Sequence, residues 1–287
     1  MKKCDIWLRD PFVLPYHGKY YLYGSRGAES WSDKATGLDV YISDDLENWE
    51  SPKEIFTRPK DFWATKHFWA PEVHEYRGSF YMLVTMEGEK EQRGVYILKA
   101  SAPDGRFEPY SERITPGDWE AIDGTLYVSK TGKPYMIFSH EWTQVHDGEI
   151  CMIRLSEDLT RAEGKAEIMF RASEAAWVES GNGIDFVTDG PYMQRISENE
   201  LVMIWSSFGR GQTYSVAAAR SSNGEIDGEW IPSAEPIFAE HGGHAMIFDT
   251  FDGRKMISMH CPNAQAKERP AFSELDINSL KNTKIVD

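Results

Sequence analysis

The sequence has few cysteines, and none stands in a spacing that indicates a disulfide framework or a zinc site. Cys4, Cys151 and Cys261 are odd in number and far apart in a chain of 287 residues. Such sparse cysteines are typical of a reducing compartment. The first ten residues include two lysines but lack the apolar core of a secretory signal. We therefore expect a cytoplasmic protein.

The sequence also lacks long apolar runs and an excess of basic residues. No run approaches the length of a membrane span. The chain has 31 basic and 46 acidic residues, a net charge of −15, and no basic stripe that would attract a phosphate backbone. These absences predict that neither a membrane nor a nucleic acid is a partner.

A third absence is sustained helical periodicity. No stretch repeats apolar residues every three to four positions, which disfavours helical and doubly wound folds. Residues 163–177 come nearest to such a pattern and are predicted to form a short helix or an excursion from the sheets.

What the sequence does contain is one plan that occurs five times. A tight turn leads into a short apolar strand, a Gly or Asn turn, and a second strand rich in aromatic and aliphatic residues. The plan returns every 50 to 65 residues or so, roughly the length of a four-stranded blade with its loops. We predict an all-β, five-bladed β-propeller, with four antiparallel strands per blade, as a single domain over residues 1–287. The repeats open at Arg9-Asp10-Pro11, Ala70-Pro71-Glu72, Ile122-Asp123-Gly124, Thr188-Asp189-Gly190 and Gly243-His244-Ala245.

Three of these openings contain an aspartate at what we interpret as equivalent places. The first strand of each blade lines the channel of a propeller, so Asp10, Asp123 and Asp189 are expected to meet there. Glycosidic hydrolysis needs a protonated acid for the leaving oxygen and an ionised base for water, and a third carboxylate can raise the acid's pKa. Each aspartate alone is an ordinary turn residue, so their shared place in the repeat carries the functional interpretation.

The five openings, in this order, resemble those of glycoside hydrolase family 43, and the resemblance spans most of the chain. It implies an inverting five-bladed glycosidase that removes α-L-arabinofuranosyl or β-D-xylosyl residues from plant-derived oligosaccharides, with arabinofuranosyl favoured. A neutral oligosaccharide is then the expected partner. The sequence makes no prediction about the oligomeric state.

The resemblance also implies roles for the three aspartates. Asp10 matches the general base, Asp123 the residue that orients the acid and tunes its pKa, and Asp189 the general acid. The family usually has Glu at the acid position, so the proton donor here is one methylene shorter. Glu141 and Glu179 are the alternative acids.

His244 matches a family histidine in the central channel. The resemblance implies a calcium ion nearby, held mostly through water and not required for the chemistry. The alternative interpretation is a core histidine whose hydrogen bonds are satisfied within the protein.

Further residues are predicted to bind substrate. Trp69, Trp142 and Phe208 are candidate apolar platforms for a sugar, although packing between blades is the alternative, and the platform role is favoured only for Trp69 and Trp142. Glu141 stands next to Trp142 in the same motif. Arg269 follows the fifth hairpin and is predicted to reach sugar hydroxyls or to form an exposed ion pair with the preceding glutamate.

Two other functions remain open from the sequence. One is a related five-bladed glycosidase or a glycoside phosphorylase; the phosphorylase would need a cluster of basic residues for phosphate, and only Arg269 and His244 are candidates. A sugar-binding propeller without catalysis is the other, and the departure at Asp189 favours it.

Overall fold

The computed structural model describes residues 1–281. Five antiparallel sheets form the blades of a propeller, each built from strands that follow one another in the chain. The first blade consists of β1 (Leu8–Tyr16), β2 (Lys19–Arg26), β3 (Gly37–Ser43) and β4 (Lys53–Thr57). The second consists of β5 (Ala64–Tyr76), β6 (Ser79–Gly88), β7 (Gly94–Ala100) and β8 (Glu108–Pro109).

The remaining blades follow the same order. The third consists of β9 (Ala121–Val128), β10 (Pro134–His140), β11 (Glu149–Arg154) and β12 (Glu167–Arg171). The fourth consists of β13 (Asp189–Ser197), β14 (Glu200–Gly209), β15 (Thr213–Ser221) and β16 (Trp230–Pro232). The fifth has three strands within residues 1–281, namely β17 (Gly243–Asp249), β18 (Lys255–Cys261) and β19 (Arg269–Glu274).

Contacts between the innermost strands close the blades into a ring. Each of β1, β5, β9, β13 and β17 contacts its two neighbours in the ring, and β1 meets β17 to join the first blade to the last. Four clusters of buried apolar side chains fill the spaces between blades. The predicted all-β, five-bladed propeller is confirmed. In the fifth blade the outer strand β19 packs against the 3₁₀ turn Lys3–Asp5.

Among the described residues, helical structure is confined to short segments. They are α1 (Gly27–Ser30), α2 (Trp142–Val145), α3 (Ile277–Lys281) and 3₁₀ turns at Lys3–Asp5, Ala172–Glu174 and Arg210–Gln212. Residues 163–177 contain the outer strand β12 and one of these 3₁₀ turns instead of an α-helix. Within residues 1–281, no helix is long and apolar enough to cross a membrane.

Every inner strand carries a β-bulge, near its start in four blades and at the middle of β5 in the second blade. The pairing of the inner strand with the next one shifts register at this point in all five blades. One residue of each bulge has a positive φ, which costs roughly 1–2 kcal/mol for a residue other than glycine. These residues are Asp10 (54°), Ala70 (45°), Asp123 (60°), Gly190 (50°) and His244 (53°). A bulge bends the strand and redirects its side chains, so the same irregularity is repeated around the channel.

Hydrogen bonds between neighbouring blades hold four of these bulges. In each, the backbone N–H of the bulge residue donates to a polar side chain on the second strand of the preceding blade. The pairs are Ala70 with Ser25 Oγ (2.8 Å), Asp123 with Thr85 Oγ1 (3.0 Å), His244 with Ser206 Oγ (2.8 Å) and Asp10 with His260 Nδ1 (3.2 Å). We call this arrangement the inter-blade hydrogen bond.

The seam between the third and fourth blades departs from this pattern. The N–H of Gly190 donates to Asp123 Oδ2 at 3.0 Å. Ser139 occupies the corresponding place on β10, and its buried Oγ has no hydrogen-bond partner among the described residues. A carboxylate from the channel therefore replaces the hydroxyl as the acceptor at this seam.

Candidate active site

A cavity of about 280 Å³ opens where the five inner strands begin. Each blade contributes a residue at the opening of its repeat or directly before it: Asp10, Trp69, Asp123, Asp189 and His244. The topology thus brings together positions that are far apart in the sequence. We call this space the catalytic cavity.

Most of the predicted site residues line the catalytic cavity. The lining includes the three aspartates and also Trp69, Glu141, Trp142, Phe208 and His244. Arg269 is not among the lining residues.

Asp10 is a buried carboxylate surrounded by donors and positive charge. The hydroxyl of Ser25 donates to its Oδ2 at 2.5 Å, and its Oδ1 lies 3.3 Å from Nδ1 of both His244 and His260. Burial alone would raise the pKa of Asp10, but the charge of His244, with contributions from His260 and Arg9, holds it well below its usual range. Asp10 is therefore ionised and able to accept a proton.

Asp123 and His244 form the centre of the cavity's charge network. His244 Nδ1 lies 3.7 Å from Asp123 Oδ2 as well as facing Asp10. Burial would lower the pKa of His244, but the carboxylates of Asp10, Asp123 and Asp189 raise it above the usual value. The pKa of Asp123 is raised by burial and by the charge of Asp10, against the opposing charge of His244. A positively charged imidazole thus lies between two carboxylates.

Asp189 differs from the other two aspartates in both place and environment. Asp10 and Asp123 are themselves bulge residues, whereas the bulge residue of the fourth blade is Gly190. The prediction that all three occupy equivalent places is therefore wrong for Asp189, which lies one residue earlier. Its Oδ2 accepts a hydrogen bond from the hydroxyl of Tyr214 at 3.0 Å. Desolvation in the cavity and the neighbouring charge of Asp123 raise the pKa of Asp189 to about 7.

Of the two alternative acids, only Glu141 lines the cavity. Its Oε2 lies 2.7 Å from the Arg93 guanidinium and accepts a hydrogen bond from Thr143 at 3.0 Å. Burial raises the pKa of Glu141, although Arg93 opposes this. Glu179 lies outside the cavity lining, where its carboxylate accepts the N–H of Gly211 at 3.0 Å.

The predicted platforms are aromatic walls of the cavity. The centroid of the Trp69 ring lies 4.0 Å from that of the His67 ring. The guanidinium carbon of Arg93 lies 5.7 Å from the same Trp69 centroid. Phe208 packs against Tyr214 at 5.1 Å. Trp69 and Phe208 each also line the cavity, so packing within the protein does not prevent either side chain from contacting a substrate.

Arg269 binds backbone carbonyl groups at the junction of the first and last blades. Its Nε donates to the carbonyl of Cys4 at 3.0 Å and its NH1 to that of Glu268 at 2.7 Å. The exposed ion pair with Glu268 does not form, because that carboxylate is fully buried and turned towards Trp31 and Arg9. Nothing in the position of Arg269 supports a contact with sugar.

Some residues that line the cavity belong to no motif in the sequence, among them Trp31, Tyr214 and Asn263. Trp31 follows α1 in the loop between β2 and β3, and Asn263 follows β18. Tyr214 is at the start of β15, a strand that the repeat pattern assigns to the outer part of a blade. An aromatic residue in an otherwise polar loop was the available signal for Trp31.

The channel near His244 does not contain a set of protein ligands for calcium. The Nδ1 atom of His244 faces two carboxylates, and calcium prefers six to eight oxygen ligands. In the part of the chain that the structure describes, no group of three or more His, Cys, Asp or Glu side chains is arranged to hold a metal ion. The protein groups by themselves do not fit calcium, so the ion stays a prediction and no catalytic step is assigned to it.

A five-bladed propeller with three carboxylates of contrasting pKa in its central cavity has the architecture of a glycoside hydrolase. The chain matches the model of glycosyl hydrolases family 43 over residues 6–278. It belongs to this family and is a glycosidase.

Several known proteins are similar to the chain. An endo-arabinase from Bacteroides thetaiotaomicron VPI-5482 shares its fold with a TM-score of 0.88 and 37% identity, covering 96% of each chain. An extracellular endo-α-(1→5)-L-arabinanase from Bacillus subtilis is 23% identical over 82% of this chain and 71% of its own length. A non-reducing end α-L-arabinofuranosidase from Bacteroides ovatus is 32% identical over 41% of this chain, which is 23% of that protein.

Proposed function

We propose that the protein hydrolyses α-L-arabinofuranosyl linkages in short oligosaccharides with inversion at the anomeric carbon. Asp10 is the general base, Asp189 the general acid and Asp123 the residue that tunes the acid. The observation that carries this proposal is the contrast in pKa between Asp10 and Asp189 within one cavity, because a base must be ionised and an acid protonated at the same pH.

In the proposed reaction, Asp10 removes a proton from the water that attacks the anomeric carbon. The hydroxyl of Ser25 and the imidazolium of His244 hold its carboxylate in place. Asp189 donates its proton to the leaving glycosidic oxygen as the bond to the anomeric carbon breaks. The negative charge of Asp123 keeps that proton on Asp189 until it is transferred.

The shorter acid is compatible with this role. Tyr214 donates its hydroxyl hydrogen to Oδ2 of Asp189, which leaves Oδ1 to carry the proton towards the substrate. This hydrogen bond fixes the carboxyl group in the cavity. We propose that the fixed orientation offsets the missing methylene.

The choice of sugar is supported by the relatives. The endo-arabinase that covers 96% of the chain at 37% identity favours arabinofuranosyl over β-D-xylosyl substrates. The catalytic cavity is close to the lower end of the roughly 300–1,000 Å³ range of ligand sites, which favours removal of terminal residues. Internal cleavage is the alternative, as the same relative is named for it.

Hydrolysis of p-nitrophenyl α-L-arabinofuranoside, p-nitrophenyl β-D-xyloside and linear α-1,5-arabinotriose tests the proposal. We expect turnover of the arabinosides and a loss of about 10²–10⁴-fold in kcat for Asp10→Asn. Released arabinose from arabinotetraose indicates terminal action, whereas arabinobiose as the first product indicates internal cleavage. Preference for the xyloside would contradict the choice of sugar.

The identity of the acid is tested by varying the leaving group in Asp189→Asn and, as the matched control, Glu141→Gln. Loss of a general acid matters little for a dinitrophenyl leaving group and greatly for an alcohol. We expect Asp189→Asn to retain activity on the dinitrophenyl glycoside and to lose it on arabinotriose. If Glu141→Gln shows this selective loss instead, Glu141 is the acid.

Two further predictions from the sequence concern phosphorolysis and the location of the protein in the cell. Phosphorolysis is not proposed, because Arg269, one of its two candidate phosphate ligands, does not line the cavity. The cytoplasmic location stays a prediction.

A further inference from the structure

Trp31 is an exposed indole at the mouth of the catalytic cavity. About 49% of its surface is exposed, and it lines the cavity together with Arg9. It also lines a second cavity of about 350 Å³, which it shares with Trp7 and Gln265. The other large apolar residues that are exposed within residues 1–281 do not line the catalytic cavity. Trp31 is thus a wall common to the two cavities.

The side chain of Trp31 is held by a buried carboxylate. Its indole N–H donates to Oε1 of Glu268 at 2.7 Å, and the Arg9 guanidinium lies 4.6 Å from its ring centroid. Glu268 is 0% exposed, and it also accepts a hydrogen bond from Trp7 at 3.1 Å and pairs with Arg9 at 3.3 Å. Rotation of the indole would leave a buried carboxylate without one of its donors, which is costly. The ring is therefore fixed before any ligand arrives.

The chemistry that Trp31 offers to a ligand is apolar. Its only hydrogen-bond donor is used by Glu268, and Arg9 lies over the ring. What remains exposed is ring surface, which packs well against a flat apolar face such as the C–H side of a sugar ring. A fixed aromatic surface binds without losing conformational freedom.

The catalytic cavity is too small to hold a whole oligosaccharide. At about 280 Å³ it is small for a ligand site, so an oligosaccharide bound at Asp10 and Asp189 must extend past the mouth. Trp31 stands at that mouth, with the second cavity beyond it. An extended substrate that leaves on this side meets the indole.

We propose that Trp31 is the platform of a second sugar subsite, which binds a unit of the oligosaccharide outside the catalytic cavity and is positioned by Glu268. This subsite presupposes the glycosidase function proposed above. The ligand class is a neutral oligosaccharide of at least two units.

The test compares Trp31→Ala and Trp31→Phe with Phe251→Ala, which removes an aromatic side chain that is similarly exposed but lies outside both cavities. Kinetics are measured on p-nitrophenyl α-L-arabinofuranoside and on α-1,5-arabinotriose. We expect Trp31→Ala to raise KM for the triose about tenfold or more and to lower kcat/KM for the aryl glycoside by a smaller factor, because the aryl glycoside has only one sugar unit. Trp31→Phe keeps an aromatic ring but loses the hydrogen bond to Glu268, so its KM for the triose should lie between those of wild type and Trp31→Ala, and Phe251→Ala should behave as wild type. Equal losses on both substrates, or no loss on either, would overturn the proposal.

The role of Glu268 is tested with Glu268→Gln and with the double variant Trp31→Ala/Glu268→Gln. If Glu268 acts through the indole, its substitution raises KM for the triose, and the double variant is no worse on this measure than Trp31→Ala alone. Multiplied effects in the double variant would show that Glu268 does not act by positioning Trp31. Thermal unfolding of each variant separates this effect from a loss of folded protein.

Binding measurements separate the subsite from the reaction itself. In the Asp10→Asn background, calorimetry with arabinotriose and xylotriose reports affinity without turnover. Weaker binding after Trp31→Ala supports the subsite even if the wild-type protein cleaves neither sugar, in which case the proposed function alone fails. Two outcomes would overturn the subsite. One is that the Asp10→Asn protein binds neither triose measurably. The other is that it binds a triose and that Trp31→Ala leaves this affinity unchanged.

Discussion

Asp10 and Asp189 are the same residue type in one cavity, yet their surroundings separate their pKa values. Asp10 has a serine hydroxyl, two histidines and Arg9 near its carboxylate, so its charged form is stabilised despite burial. Asp189 is desolvated and has the negative charge of Asp123 nearby, so its neutral form is favoured even though the Tyr214 hydroxyl donates to its carboxylate. Differences in environment therefore separate the proposed base, Asp10, from the proposed acid, Asp189.

The pH dependence of kcat/KM follows from these shifts. Asp189 has a pKa of about 7, so the acid is protonated below pH 7 and activity should fall tenfold per unit above it. Asp10 has a lowered pKa, so we expect no acidic limb down to about pH 4, the ordinary range of aspartate. A pH–rate profile on arabinotriose checks this. A fall in activity between pH 7 and pH 5 would contradict the assignment.

The raised pKa of Asp189 also predicts a pH-dependent cost in stability. Its folded pKa is about 7 and its unfolded value is near 3.9, so the folded state loses stability as the pH rises from about 4 to 7. Asp189→Asn removes this titration. We expect the melting temperature of the variant to exceed that of wild type more at pH 8 than at pH 4. A difference that is equal at both pH values would show that Asp189 is not destabilised by its charge.

The site was predictable to the extent that it follows the repeat. Asp10 and Asp123 recur at the bulge itself, so the sequence pattern places them correctly. The place of Asp189 was not predictable, because a shift of one residue at a bulge leaves the spacing of the repeats almost unchanged. Trp31 and Asn263 lie in segments between strands that differ from blade to blade, and a repeat contains no information about them.

At the scale of elements, the inter-blade hydrogen bond connects the second strand of one blade to the bulge of the next. Its acceptor is a small hydroxyl at Ser25, Thr85 and Ser206, which fits between tightly packed strands. At the third seam the hydroxyl of Ser139 has no partner, since Gly190 donates to Asp123 instead. At that seam the hydrogen bond that joins the two blades is therefore accepted by Asp123, a carboxylate of the cavity.

This difference predicts unequal effects of two matched substitutions. Ser206→Ala leaves the buried N–H of His244 without its acceptor, so we expect a loss of about 1–3 kcal/mol in the free energy of unfolding. Ser139→Ala removes a hydroxyl that has no partner, so its effect should stay within about 0.5 kcal/mol or be stabilising. Urea denaturation of both variants measures this. Equal losses would mean that Ser139 also has a structural hydrogen bond.

The strands were more predictable than the segments between them. Short strands rich in apolar residues, with turn residues between them, predicted the inner hairpins, because these strands are buried between neighbouring blades. Residues 163–177 were misleading, since the outer strand β12 is mostly exposed and lacks a clear alternation. Edge strands bury little surface, and their pattern is correspondingly weak.

At the scale of the whole molecule, the propeller is closed into a ring by the seam between its first and last blades. The first and last blades meet where β1 contacts β17, and the N–H of Asp10 donates to His260 across this seam. Burial lowers the pKa of His260, and the Nε2 atom of this ring lies 3.2 Å from Oδ1 of Asn263. Closure of the ring therefore sets the position of Asp10, the proposed base.

Arg269 belongs to the same closure. Its guanidinium joins β19 to the first residues of the chain through the carbonyl of Cys4, so Arg269→Ala should lower the free energy of unfolding by about 1–2 kcal/mol. The melting temperature should fall by a few degrees, while KM for arabinotriose stays unchanged. Arg254→Ala is the control, because Arg254 pairs with Asp252 in an exposed turn and should have little effect. A raised KM with unchanged stability would restore Arg269 to the substrate site and contradict its role in closure.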